Sequence, residues 1–293
     1  MANTADSFRD KWEQNKRLAF EETLREGSDI FSWILERNGF TGPAEFARFL
    51  KGKGRVLDAG CGNGRVTALL RRYSPAPTEI VGIDLVSSEI ARENLEMFHL
   101  SDNMHFFEKD LLGDLTDLGK FDFIYCQEVL HHLSDPEQAL HNLCSILSSK
   151  GEIAIYVYRK KAPVREFVDD YVRGKISELT YEEAMQACKQ ITELGRSLSQ
   201  RGIKIQVPRV DVLEIKEGEY DLQRFIYHFF TKCFWNPDLA FQENAAINFD
   251  WYHPQIATRH TLEEVKEWFL RARLSIVHET ADFYGITVRG KLV

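Results

Sequence analysis

The 293-residue sequence has no long apolar run, and it has few cysteines. Its longest apolar stretches, such as IAIYVY at residues 153–158, fall far short of the ~20 residues that a membrane-spanning helix needs. The N-terminal stretch MANTADSFRDKWEQ lacks the apolar centre of a signal peptide. The five cysteines form no CxxC pair, which indicates reduced thiols and neither a disulfide framework nor a metal site. These absences predict a cytoplasmic protein without a membrane partner.

An excess of positive charge is also missing. The formal net charge is -8, whereas a nucleic-acid partner normally requires a basic face that neutralises phosphates. The dense basic run YRKKAPVR, at residues 158–165, is either solvated surface or a contact for an anionic ligand. The charge therefore counts against a nucleic-acid partner.

Apolar runs of strand length alternate with helix-length segments through most of the chain. This alternation predicts an α/β fold with a mostly parallel sheet and helices on both faces. Asp135-Pro136 and the box Thr261-Leu262-Glu263-Glu264 are typical helix starts. The predicted strands are residues 55–59, 79–84, 105–107, 121–126, 152–158, 274–278 and 283–289.

The pattern predicts four regions along the chain. Residues 1–52 read as an N-terminal segment of two or three helices, and residues 53–158 as the main α/β core. Residues 159–258 form an insertion that the alternation does not need, and residues 259–293 return to the core with the last helix and the final two strands. The insertion opens with a helical pattern and later holds eleven aromatic residues between positions 220 and 252.

The stretch VLDAGCGNGRV, at residues 56–66, places three glycines directly after a short apolar run. Glycine permits a tight turn and a close approach of the backbone to a nucleotide cofactor at the end of a strand. The dinucleotide fingerprint would place a third glycine where Arg65 stands, which argues against NAD. No GK[ST] sequence follows, which excludes a P-loop.

Acidic residues follow three successive predicted strands. Asp58 ends the first strand, and Asp84 ends the second at the spacing at which an acid accepts hydrogen bonds from ribose hydroxyls. Asp110 follows the third strand. The carboxyl ends of parallel strands meet at one edge of a sheet, so these acids are predicted to line a cofactor site without a pyrophosphate.

These motifs together resemble the class I S-adenosylmethionine-dependent methyltransferases. The similar blocks are VLDAGCGNG, VGIDLVSSEIARENL, EKDLL and FDFIYCQEVLHHLSDPEQAL, and they occur in that order. Within that superfamily they look most like the small-molecule branch that includes the quinone-biosynthesis methyltransferases. The resemblance implies a Rossmann-like seven-stranded sheet with an antiparallel last strand, and S-adenosylmethionine as cofactor with S-adenosylhomocysteine as product. Carried over by position, it implies cofactor contacts at Asp58, Gly60, Cys61, Gly62, Gly64, Asp84, Leu85, Asp110, Leu111, Gln127 and Glu128.

The methyl acceptor is less clearly indicated. A hydroxyl acceptor needs a base, for which histidine is the usual choice, and His131, His132 and His253 are the candidates. CQEVLHH stands where amide and nucleobase enzymes of this superfamily carry an NPPY-like sequence. We therefore expect a small organic acceptor, methylated at oxygen or nitrogen. The alternatives are a protein or RNA methyltransferase and a catalytically inactive cofactor-binding subunit.

The insertion is predicted to form a mainly helical lid that binds the acceptor. Its segment 222–233 has apolar residues at helical spacing, which favours a buried face, with Tyr227 and His228 pointing off that face. NFDWYHP, at residues 248–254, has no clear period and reads as a loop that lines a pocket. A homodimer is compatible with the sequence. The candidate acceptor contacts are Tyr158, Tyr227, His228, Trp251, Tyr252 and His253.

Overall fold

The structure is a computed structural model, and it describes residues 4–293. The chain forms two compact units. The core unit comprises Trp12–Arg159 and Thr258–Val293, and the helical unit comprises Lys160–Ala257 together with the described residues 4–11. None of the helices in the described residues combines the length and the apolar character needed to cross a bilayer.

The described residues form twelve α-helices and nine strands. The helices are α1 (Thr4–Gln14), α2 (Phe20–Leu24), α3 (Asp29–Arg37), α4 (Pro43–Leu50), α5 (Arg65–Tyr73), α6 (Ser88–Met97), α7 (Pro136–Ser145), α8 (Pro163–Ile176), α9 (Tyr181–Ser199), α10 (Leu222–Phe229), α11 (Phe241–Tyr252) and α12 (Leu262–Arg271). The strands are β1 (Arg55–Ala59), β2 (Glu79–Asp84), β3 (Met104–Glu108), β4 (Phe121–Gln127), β5 (Leu147–Tyr158), β6 (Lys204–Val207), β7 (Gly218–Asp221), β8 (Leu274–Ala281) and β9 (Gly285–Leu292).

The core unit is built on a seven-stranded sheet with the order β3-β2-β1-β4-β5-β9-β8. Strands β1 to β5 pair in parallel, and β9 pairs antiparallel with both β5 and β8. The sheet confirms the predicted Rossmann-like topology, including the antiparallel last strand. Parallel pairing brings the carboxyl ends of β1, β2, β3 and β4 to one edge, where open α/β folds bind ligands.

Each face of the sheet has its own hydrophobic core, because successive side chains of a strand point to opposite faces. Leu57 of β1 packs in a cluster with Leu140 of α7 and Phe269 of α12. Its neighbour Val56 packs in a second cluster that contains residues of α2, α3, α4 and α5, such as Leu35. This arrangement confirms the prediction of helices on both faces.

The helix starts follow the predicted capping chemistry. The Asp135 side chain accepts a hydrogen bond from the Gln138 N–H at the start of α7. Thr261 and Glu264 form the reciprocal capping box of α12. The N-terminal segment departs from prediction, because it contains four helices where two or three were expected. A left-handed residue, Ala19, separates the first two helices.

The helical unit contains α8 to α11 and a hairpin of β6 and β7. Its centre is Asp169, which is 1% exposed and accepts hydrogen bonds from Arg165 Nε, Trp251 Nε1 and the Tyr252 hydroxyl. These bonds satisfy a carboxylate that would otherwise be costly to bury.

The N-terminal residues of α1 join the helical unit through polar contacts. Lys11 Nζ lies 2.7 Å from Asp250 Oδ2, and the Ile256 N–H donates to Thr4 Oγ1. The helical unit is therefore assembled from two segments that lie far apart in the sequence.

Two predictions about the insertion are wrong. Segment 248–254 was expected to be a loop, but α11 continues through Tyr252. The sequence of this helix lacks an apolar periodicity because asparagines occupy some of its buried positions. Asn248, for example, accepts a hydrogen bond from the Phe234 N–H and donates one to the Thr192 hydroxyl. Such satisfied polar groups fill positions where a periodicity argument expects apolar side chains.

The buried face of α10 also differs from the predicted one. The helix buries Gln223, Tyr227 and Phe229. Gln223 Nε2 donates to the Cys233 carbonyl, and the Arg165 guanidinium lies 4.5 Å from the centre of the Tyr227 ring. The hydrogen bond stabilises Gln223 in a buried position, and the cation–π contact does the same for Tyr227. Tyr227 therefore lies on the buried face of α10 and not off it.

Candidate functional site

The glycine loop connects β1 to α5 at the carboxyl edge of the sheet. Gly60, Gly62 and Gly64 have φ values of 81°, 56° and 84°, in the left-handed region that favours glycine. The N–H groups of Gly60 and Cys61 both donate to the Ile83 carbonyl of β2, at 2.7 and 2.9 Å. The loop is therefore fixed against the neighbouring strand in a conformation that glycine adopts at little cost.

All three glycines of the loop also lie against side chains of other segments. A Cβ on Gly60 would lie 2.2 Å from Val129 Cγ2, and a Cβ on Gly62 would lie 2.8 Å from Trp12 Cζ2. The contact with Trp12 was not predicted, because fifty positions of sequence separate the two residues. Within the loop, Cys61 is 5% exposed, and burial raises the pKa of its thiol well above the usual value.

Asp58 lies at the end of β1 and is 2% exposed. Its Oδ2 accepts a hydrogen bond of 2.5 Å from the Thr67 hydroxyl on α5. Burial raises the pKa of Asp58 to about 7, although the hydrogen bond from Thr67 and the nearby Arg65 charge lower it. Thr67 is a polar partner that the sequence reasoning missed.

Asp84 ends β2 and organises the adjacent backbone. Its Oδ2 accepts from the Gly62 N–H at 3.0 Å, and its Oδ1 accepts from the N–H groups of Val86 and Ser87. The next side chain, Leu85, is 42% exposed. The structure thus brings an oriented carboxylate and an exposed apolar surface together beside the glycine loop.

The end of β3 supplies a third acid. Asp110 is exposed, and its Oδ1 accepts from the Leu112 N–H at 2.9 Å. Leu111 is 5% exposed and packs in the core with Leu143 of α7. Asp110 can therefore meet a ligand at the surface, whereas Leu111 has a packing role.

The end of β4 holds Gln127 and Glu128. Gln127 Oε1 accepts from the Tyr125 hydroxyl, which in turn accepts from Asn38 Nδ2 at 3.1 Å. Gln127 Nε2 is buried, and no described residue is a hydrogen-bond partner for it. Glu128 has φ 60° and forms an ion pair with Arg65 at 3.1 Å. An orphaned buried donor and a left-handed glutamate are both features that concentrate at binding sites.

His131 and His132 form a short 3-10 turn after β4. The His131 ring stacks on Tyr158 of β5 with centroids 3.5 Å apart, and the His131 carbonyl accepts from the backbone N–H and the hydroxyl of Thr258. His132 is 7% exposed, and His131 is fully buried. The structure therefore brings both histidines and Tyr158 together in the core unit.

The remaining candidates lie in the helical unit. Trp251, Tyr252 and His253 are at most 2% exposed, and His253 Nε2 interacts with the Leu179 carbonyl at 3.2 Å. Burial lowers the pKa of His253. His228 is half-buried on α10. All five insertion candidates, Tyr227, His228, Trp251, Tyr252 and His253, belong to this unit.

Taken together, the residues at the carboxyl edge fit S-adenosylmethionine. The glycine loop admits a close approach of the cofactor, and Asp58 and Asp84 are acids beside it. Leu85 offers an apolar surface, and the buried Nε2 of Gln127 is a donor for which residues 4–293 provide no acceptor.

Comparisons with known proteins agree with this geometry. A family model described as "Methyltransferase domain" matches residues 28–206. An uncharacterized protein of Synechococcus sp. is 38% identical over 119 residues, which are 39% of this chain and 28% of that protein. A ubiquinone biosynthesis O-methyltransferase of Coxiella burnetii is 26% identical over 194 residues, which are 63% of this chain and 78% of that protein.

A solved structure shares the fold. PKMT2 from Rickettsia typhi superposes with a TM-score of 0.54 over 85% of this chain and 52% of that chain, at 16% identity. At this identity the likeness shows a common architecture and nothing further.

Proposed function

The chain belongs to the methyltransferase-domain family and is an S-adenosylmethionine-dependent enzyme, and from this premise we propose that it methylates an oxygen or nitrogen of a small organic acceptor. The observation that carries the proposal is the cluster of His131, His132 and Tyr158 at the ends of β4 and β5. Imidazole is the side chain best suited to accept a proton from a hydroxyl near neutral pH. The Coxiella relative, which is named an O-methyltransferase, supports an oxygen acceptor.

In this proposal the cofactor is held by the carboxyl edge of the sheet. Asp84 would accept hydrogen bonds from the ribose hydroxyls, and Leu85 would cover the adenine. Asp58 and the glycine loop would hold the methionine part, Asp110 would meet the adenine edge, and Gln127 would donate through its buried Nε2. When bound, S-adenosylmethionine supplies a methyl group that its sulfonium has already activated.

The protein then has to orient the acceptor, exclude water and remove a proton. His132 is proposed as the base, because it retains some exposure while His131 is fully buried against Tyr158. We further propose that Tyr158, whose ring stacks on His131, supplies a contact to the acceptor.

The test combines purified protein, labelled S-adenosylmethionine and a cell extract separated into an ultrafiltrate and a macromolecular fraction. We expect label in a metabolite of the ultrafiltrate, identified by mass spectrometry. Label in protein or RNA would favour a macromolecular acceptor, and cofactor binding without transfer to either fraction would favour an inactive subunit.

The base is tested once the acceptor is known. His132→Ala should lower kcat at saturating cofactor by about 10²-fold or more, which is the usual contribution of a positioned general base. His141→Ala is the matched control, because His141 lies on the exposed face of α7. A His132 variant with the kcat of the control would remove the proposed role.

A further inference from the structure

Arg65 occupies a position where a cation is locally unfavourable. It is the first residue of α5, and the positive end of a helix dipole lies at its N-terminus. The side chain is 17% exposed, so solvent does not fully screen this repulsion. Something other than helix stability must therefore account for an arginine at this position.

Glu128 is also locally unfavourable, because of its backbone conformation. It has φ 60°, and a glutamate in the left-handed region carries a strain that glycine would not. Strain of this kind persists only where the surroundings hold the backbone in place. The side chain of Glu128 is 37% exposed, at the end of β4 beside Gln127.

The two unfavourable residues meet in one contact. Arg65 Nη2 lies 3.1 Å from Glu128 Oε2, and Arg65 Nη1 donates to the Thr23 hydroxyl at 3.1 Å. Thr23 is fully buried and donates in turn to the Ala19 carbonyl. Both arms of the guanidinium are used, so the side chain links the glycine-loop helix to α2 and to the end of β4.

We propose that Arg65 is a positioning residue for the cofactor: its ion pair with Glu128 and its bond to Thr23 hold the Gln127–Glu128 turn in its binding geometry. The proposal rests on the proposed cofactor site, and it adds a residue whose side chain acts through Glu128. A disordered or shifted turn would remove the Gln127 donor from the site.

The test is a double-mutant cycle read by calorimetry with S-adenosylhomocysteine. Arg65→Gln and Glu128→Gln should each weaken binding by about fivefold, because either change removes the ion pair that holds the Gln127–Glu128 turn. The double variant should bind no worse than either single variant, which is the signature of two residues acting as one unit.

A conservative variant and a control separate positioning from general stability. Arg65→Lys retains the charge but cannot serve Glu128 and Thr23 together, so its affinity should lie between wild type and Arg65→Gln. Arg72→Gln, on the same helix and bonded to the Leu24 carbonyl, should bind as wild type does.

Four outcomes would overturn the inference. Additive losses in the double variant would show that Arg65 and Glu128 act separately. A lower unfolding temperature without a change in the affinity of the folded protein would show a purely structural role. Wild-type protein that bound no S-adenosylhomocysteine would refute the proposed cofactor site and this inference together, whereas normal binding by Arg65→Gln would refute this inference alone.

Discussion

Replacing Asp58 by asparagine should stabilise the protein at alkaline pH while impairing its cofactor site. Asp58 is 2% exposed, and burial raises its pKa to about 7 from an ordinary 3.8. Asparagine has nearly the same shape and cannot ionise, so the variant removes the cost of a buried negative charge. The Thr67 hydroxyl, 2.5 Å away, can still donate to the amide oxygen.

The magnitude follows from proton linkage. Between pH 3.8 and 7 the folded protein keeps a proton on Asp58 that the unfolded chain has lost, so the free energy of unfolding falls as the pH rises. The full effect is about 4 kcal/mol, of which about 3 kcal/mol lies between pH 5 and pH 8. The difference between Asp58→Asn and wild type should therefore grow across this window in favour of the variant.

The assay is urea unfolding of both proteins at several pH values without cofactor. Asp102→Asn, at an exposed site, serves as the control and should show no comparable growth. A difference between Asp58→Asn and wild type that stayed constant from pH 5 to pH 8 would refute the reasoning. The same variant should bind S-adenosylmethionine more weakly, because a carboxylate beside a cationic ligand has been removed.

Two further predictions use matched pairs within the chain. Gly60→Ala should lower the free energy of unfolding by about 3 kcal/mol in chemical denaturation, because the left-handed backbone and a clash with Val129 both oppose a Cβ. Gly27 is equally left-handed but has open space around it, so Gly27→Ala should cost about 1 kcal/mol. Equal losses in the two variants would exclude the clash. Asp169→Ala should lower the free energy of unfolding by about 4 kcal/mol and speed amide exchange in α8 and α11, because it leaves the Arg165 charge buried without its partner. Replacement of its exposed neighbour, Asp170→Ala, should cost under about 1 kcal/mol. Similar amide exchange in the two variants would contradict the role of Asp169 as the centre of the helical unit.

The sheet could be predicted from the sequence because its signals are local. Strands β1 and β2 are short apolar runs that carry Asp58 and Asp84 at their carboxyl ends, and Asp110 comes shortly after β3, so strand ends and acids were found together. The caps of α7 and α12 were equally local.

The parts that failed depend on contacts between distant residues. Gln223 is buried because it donates a hydrogen bond to the Cys233 carbonyl, and Tyr227 is buried against the Arg165 guanidinium. Helix α11 buries asparagines such as Asn248, so its buried face has no apolar periodicity. The positions of Trp12 against Gly62 and of Arg65 against Glu128 likewise have no signature in their own segments. A single sequence reports which residues are polar, but it does not report which buried partner satisfies them.

The contact between Lys11 and Asp250 has a consequence for synthesis of the chain. The two residues are 239 positions apart, and the N-terminal residues leave the ribosome first. The first residues of α1 therefore have no partners in the helical unit until Asp250 and Ile256 have been translated. The helical unit is thus expected to complete its folding after the strands of the core that precede residue 159 have emerged.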